Sequence, residues 1–190
     1  MLISRNTYKS LFLIALALCS AWSFAQSKTS FGSANATQCF IASGNPSSLL
    51  DARVCSNAIR HDNLSKRDLA ATHTNRGIIL AAGGELRQAL EDHNQAAKLK
   101  KDLSKIYINR GTVFHRLKEY EKALLDYQKA LDLGGVPKDI VEYNRALSLL
   151  KSRKTKEALK ALERALGYNP GSLRVKAKIK AISSPGNIQK

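Results

Sequence analysis

Three cysteines, four histidines and eleven glycines are scattered through 190 residues without forming any of the arrangements that chemistry requires. No Cys-x-x-Cys pair is present, which removes thiol redox catalysis. His61, His73, His93 and His115 make no His-x-x-x-His or His-Glu pairing, so a metal site is not expected. Gly83-Gly84 does not follow a strand and reads as a turn between helices, so there is no phosphate-cradling loop. Aromatics make up 6% of the chain and form no platform for stacking bases, so nucleic acid is not an expected partner. Without a catalytic constellation, neither an enzyme nor a cofactor nor a small-molecule substrate is expected.

Long hydrophobic runs are also missing. The apolar stretch from Leu11 to Leu18 is too short to cross a bilayer core of about 30 Å. Arg5 and Lys9 precede it and Ser23-Phe24-Ala25 follows it, the layout of a secretory signal peptide cut after Ala25. Leu18 is a bulky neighbour for Cys19, which argues against lipid attachment there. Residues 1–25 are therefore expected to be removed on export across the inner membrane, leaving a periplasmic domain. Residues 26–36 read as a flexible lead-in.

Negative charge is scarce. There are 15 Asp and Glu against 31 Lys and Arg, a formal net charge of +16. The excess concentrates in the last forty residues, where eleven basic side chains face only Glu157 and Glu163. Lys151, Arg153, Lys154, Lys156, Lys160, Arg174, Lys176, Lys178 and Lys180 make a basic patch. It is either a solvated face or a contact surface for an anionic polymer or membrane surface.

Once the leader is gone, Cys39 and Cys55 are the remaining cysteines, an even pair in an oxidising compartment. They lie eight residues either side of Ser47, and the turn signal Gly44-Asn45-Pro46-Ser47 separates two helix-compatible stretches. Equal distances from the turn of a helix hairpin bring two side chains together, so a disulfide is expected. Two buried free thiols are the alternative.

What the chain does contain is repetition. Gly77, Gly111 and Ala146 fall in register at spacings of 34 and 35 residues. Ala89, Ala123 and Ala158 follow twelve residues later, and Ala96, Ala130 and Ala165 seven after those. Leu80, Phe114 and Leu149, then Leu90, Leu124 and Leu159, hold equally regular large positions. Small residues let helices approach and large ones fill the layer around each contact. The 34-residue period resembles the tetratricopeptide repeat, a stacking helix-turn-helix unit. Gly111, Phe114, Ala123, Tyr127 and Ala130 match its small and aromatic positions, and Pro170 stands near its closing proline. His93 and Leu162 depart from it by replacing the second aromatic, and Ala146 by replacing the glycine.

The resemblance implies an all-α, right-handed α-solenoid. Its parts would be a disulfide-linked partial repeat at 37–69, repeats at 70–103, 104–137 and 139–172, a capping helix at 173–182 and a disordered tail at 183–190. By the same resemblance the first helix of each repeat lines a concave groove. Its expected residues are Thr74, Asn75 and Ile78, then Lys105, Ile108, Asn109, Thr112 and His115, then Tyr143, Asn144 and Leu147. Asn75, Asn109 and Asn144 recur at one place, where an amide could bond the backbone of a bound peptide or tie one helix to the next. Family members that clamp a peptide's terminal carboxylate carry five basic or Asn residues. Here Asn109 alone matches, and Thr74, Ile78, Ile140 and Asn144 hold the other four places. The expected function is a protein-binding adaptor or assembly factor of the bacterial cell envelope, with a protein or peptide as partner and no carboxylate clamp.

Overall fold

The computed structural model describes residues 33–46 and 51–184. The expected signal peptide, Ser47 of the first turn and residues 185–190 of the expected tail lie outside the described residues. Among the described residues there are nine helices and no strand. They are α1 (Ala34–Gly44), α2 (Asp51–His61), α3 (Lys66–Ala82), α4 (Leu86–Leu99), α5 (Ser104–Arg116), α6 (Tyr120–Leu133), α7 (Lys138–Lys151), α8 (Thr155–Tyr168) and α9 (Leu173–Ser183). Each packs on the next, and α1 on α3, α3 on α5 and α5 on α7 also touch, so four hairpins stack in chain order with α9 against α8. The fold is the α-solenoid the resemblance implies.

Three boundaries move. Ser33 caps α1 by accepting a hydrogen bond from the Ala36 amide, so 34–36 is helical where a flexible lead-in was expected. Ser65 caps α3 through the Asp68 amide at 3.1 Å, which starts that helix before the expected boundary at residue 70. At the far end α9 runs to Ser183, one residue beyond the expected cap.

The turns inside the three full hairpins are copies of one another. Gly84, Lys118 and Arg153 are left-handed, with φ of 90°, 64° and 60°. The amides after them, Glu85, Glu119 and Lys154, each return to a carbonyl five residues back at 2.9 Å. This double closure ends a helix with few orphan carbonyls, and glycine adopts its left-handed position without strain. Two of the three turns nevertheless use a cationic L-residue there. The extra residue between the second and third repeats is absorbed at Gly134 and Gly135, both at positive φ.

Inside the hairpins the small residues do what their spacing suggests. Ala89, Ala96, Ala123, Ala130, Ala158 and Ala165 are all fully buried. A Cβ built on Gly111 would lie 2.8 Å from Cε1 of Tyr127, and one on Gly77 2.7 Å from Cε1 of His93. The ring of His93 therefore fills the place that Tyr127 fills one repeat later. Burial holds the His93 pKa down at about 4, and neither ring nitrogen has a hydrogen-bond partner. It packs as a neutral ring. At the third crossing Ala146 and Leu162 share one apolar cluster.

An Arg-Asp pair recurs with the hairpins. Arg76 on α3 donates from Nε and Nη2 to both Asp92 oxygens on α4, each at 2.7 Å, and from Nη1 to Ser56 Oγ on α2 at 2.9 Å. Arg110 on α5 likewise grips Asp126 on α6 at 2.7 and 2.8 Å, and Asn94 on α4 at 3.0 Å. Each arginine thus ties its own hairpin and reaches back to the previous one. Burial opposes the charge of Asp92, but hydrogen bonds from Arg76 and His73 outweigh it and hold the carboxyl below its ordinary range. In the third hairpin Ala161 stands where the Asp would be, and the polarity reverses: Arg164 on α8 holds Glu142 on α7 at 2.7 and 3.0 Å.

The first hairpin is shorter and joined differently. The sulfurs of Cys39 and Cys55 lie 2.11 Å apart, at disulfide distance, and both residues are fully buried. Closing a loop of this size stabilises a domain by about 3 kcal/mol in the chain-entropy account. Asp62 adds a polar tie by accepting from Ser33 Oγ and from Asn35 Nδ2.

Candidate functional site

The expected groove residues fall on α3, α5 and α7, the first helices of the full hairpins. Their exposure departs from an open floor. Thr74, Asn75, Ile78, Ile108, Asn109 and Thr112 are buried, and so is Tyr143; Lys105, His115, Asn144 and Leu147 are half-buried. Local chemistry also occupies two hydroxyls among the expected groove residues. The Thr74 hydroxyl bonds to the Ala70 carbonyl at 2.8 Å and the Thr112 hydroxyl to the Ile108 carbonyl at 3.0 Å, both inside their own helix. The part of this face that a ligand meets first is therefore Lys105, His115, Asn144 and Leu147.

Asn75, like His93, is a buried polar side chain left without partners. It is 0% exposed, and neither its amide nitrogen nor its oxygen has a hydrogen-bond partner. A buried amide left in this state is unfavourable by about 1–3 kcal/mol. Further along, His115 shares a hydrogen bond between Nδ1 and Ser148 Oγ at 2.8 Å, which joins α5 to α7. Its ring lies 5.5 Å from that of Tyr120. Burial, with Lys151 nearby, keeps the His115 pKa below its ordinary value. The role of Ser148 was not read from the sequence, because a serine buried in a helix carries no signal of the partner it faces across 33 residues.

The C-terminal end is closed by α9. Val175 is buried and Ile179 and Ile182 pack with it against the α7–α8 cluster. The Arg174 guanidinium lies 4.0 Å from the centroid of the Tyr143 ring, so this member of the expected basic patch also covers the end of the concave face. Lys178 is half-buried. Lys151, Arg153, Lys154, Lys156, Lys160, Lys176 and Lys180 are exposed, on the end of α7, the α7–α8 turn, α8 and α9. Among the described residues none of these seven has a carboxylate partner.

Stacked helix hairpins with one concave side define the chain as an α-solenoid of repeated units. Residues 104–133 and 143–177 each match a family model of the tetratricopeptide repeat, and these stretches are α5–α6 and most of α7–α9. Among curated proteins, none matches this chain in sequence. Solved structures with a similar fold include MamA from Desulfovibrio magneticus RS-1, at 16% identity and a TM-score of 0.66. That match covers 79% of this chain and 84% of that one. The tetratricopeptide domain of Arabidopsis OM64 matches at 20% identity and a TM-score of 0.59, over 63% of this chain and 98% of that one. The second such domain of human RPAP3, solved in complex with the HSP70 peptide SGPTIEEVD, matches at 20% identity and 0.58, over 62% and 98%.

Proposed function

We propose that this protein is an exported, non-enzymatic adaptor or assembly factor of the bacterial cell envelope that holds a peptide segment of a partner against the concave face of α3, α5 and α7. The observation that carries the reading is the accessible row Lys105, His115, Asn144 and Leu147 along the first helices α5 and α7. Asn144 can hydrogen-bond a peptide backbone and Leu147 can take an apolar side chain. The RPAP3 domain, of similar fold and solved with an HSP70 peptide, supports peptide binding in general. Cysteines at disulfide distance fit an oxidising compartment, and the layout of residues 1–25 fits export.

The ligand chemistry differs from a carboxylate clamp. Thr74, Ile78, Ile140 and Asn144 leave that arrangement without its basic groups, so apolar or mixed segments suit the face better. A pull-down from envelope extract at low and high salt is the test. Partners retained at high salt and lost on Leu147→Lys support the concave face; peptides captured by it bind equally well with a free or an amidated C-terminus.

A second reading has its own observation in the seven exposed, carboxylate-free Lys and Arg side chains around α8 and α9. An anionic envelope polymer or membrane surface would neutralise them, with affinity that falls steeply as salt rises. Capture abolished by salt alone and indifferent to Leu147→Lys selects this reading.

A further inference from the structure

Between α2, α3 and α4 lies a cleft of about 460 Å³, within the size range of ligand pockets and separate from the concave face. Ala52 and Leu80 form its apolar part, His73, Arg76 and Asp92 its polar side, and Arg53 also lines it. The next hairpin has the same backbone arrangement with other residues at the corresponding places. Aligning the two arginine clamps puts Leu90 in the place of Ala52, Tyr107 in that of His73 and Phe114 in that of Leu80. Every one of the three positions is larger in the second hairpin.

The two arginines then differ in one respect. All three guanidinium nitrogens of Arg76 are engaged, by Asp92 and Ser56, as those of Arg110 are by Asp126 and Asn94. The edge of each fork is used and its charge neutralised, so neither offers a site for an anion. Only the flat faces remain. The Arg110 guanidinium carbon lies 5.4 Å from the centroid of the Tyr107 ring and 5.9 Å from that of Phe114. Beside Arg76 the same two places are held by the His73 imidazole, which shares Asp92 with it, and by Leu80. Arg76 faces the cleft that the smaller residues leave.

We infer that this cleft is a second binding site, which takes one aromatic side chain of a partner polypeptide and stacks it on the face of Arg76. The chain itself shows what the position accepts, because one hairpin later the same guanidinium is covered by aromatic rings from within. A guanidinium already pinned in its plane by a carboxylate is preorganised for stacking and loses little freedom when a ring arrives. Ala52 and Leu80 bury the ring edge, and the neighbouring side of the cleft is polar enough to take a tyrosine hydroxyl. This site is independent of the concave face, so a partner could use both at once.

The test titrates the full chain with N-acetyl-tyrosinamide and, separately, N-acetyl-leucinamide, following the Arg76 Nε–H and Ser56 amide signals by NMR. The expected result is a saturable shift with the aromatic amide and at least about tenfold weaker binding of the leucine amide. Ala52→Leu, His73→Tyr and Leu80→Phe together install the second hairpin's residues; this variant should keep its helical signal and lose the shift. Leu80→Phe alone, a milder change, should weaken binding in the same direction. Equal binding of the two amides, no saturable shift with the tyrosine amide, or unaltered binding by a folded Leu80→Phe chain would each overturn the proposal.

Discussion

The hairpins α3–α4 and α5–α6 share a turn, an arginine clamp and a glycine at the helix crossing, yet they are not the same object. The second is built with aromatics: Tyr127 rests on Gly111, and Tyr107 and Phe114 flank Arg110. The first keeps the backbone and replaces each of these rings. His93 lies on Gly77, His73 bonds Asp92 at 2.8 Å, and Leu80 stands where Phe114 stands one hairpin later. What the difference teaches is that the repeat is specified by small residues and one ion pair, while the large residues are free to vary and so to acquire local properties.

If the two clamps were equivalent, removing either arginine would destabilise the chain equally. We expect otherwise. Arg110→Met leaves Asp126 buried without its partner and should lower stability by about 3–5 kcal/mol, while Arg76→Met should lower it less, because His73 still bonds Asp92. Urea unfolding of the two variants measures the gap, and equal losses would break the distinction. The crossings give a smaller effect. Gly111→Ala forces Tyr127 to shift, with the Ala123 carbonyl 3.3 Å from the added methyl as a further constraint, and should destabilise by about 1–3 kcal/mol. Gly77→Ala meets the His93 ring first, at 2.7 Å, and because no hydrogen bond fixes that ring it should be milder in the same assay.

The smallest effect is the most diagnostic. His93 has a folded pKa of about 4 against an ordinary 6.5, so the unfolded chain takes up a proton more readily in that window. The stability that the neutral ring contributes is complete above pH 6.5 and is lost progressively as pH falls toward 4. His93→Phe should remove that part of the acid sensitivity and raise stability near pH 7 by about 1 kcal/mol, since two buried nitrogens no longer lack partners. Thermal melts across this range check both. A slope unchanged in His93→Phe would show that another group carries it.

The legible parts of this molecule are those where sterics leave few choices. A helix crossing tolerates only Gly or Ala, so Gly77, Gly111 and Ala146 announce it from the sequence, and equal spacing about a turn brings Cys39 to Cys55. Less could be read where one backbone state accepts several residues. Gly84 suggests a turn, but Lys118 and Arg153 adopt the same left-handed state and give no sign of it. His93 departs from the aromatic pattern in name while filling the same volume. The expected groove residues lie on α3, α5 and α7, but their depth is not legible in the sequence: Asn75 and Ile78 are buried, and exposure depends on how closely these helices stack. The clamps could have been found from the repeated Arg-to-Asp spacing of 16 residues, had charge been slid along the chain as the small residues were.

The reversal of that clamp in the third hairpin gives the array a direction under load. Arg76 and Arg110 each bolt their hairpin to the one before it, whereas Arg145 pairs with Glu142 on its own helix and Arg164 ties α8 to α7 only. Tension on the two ends would therefore shed α7 to α9 as the first block. The last block to yield would be the Cys39–Cys55 staple.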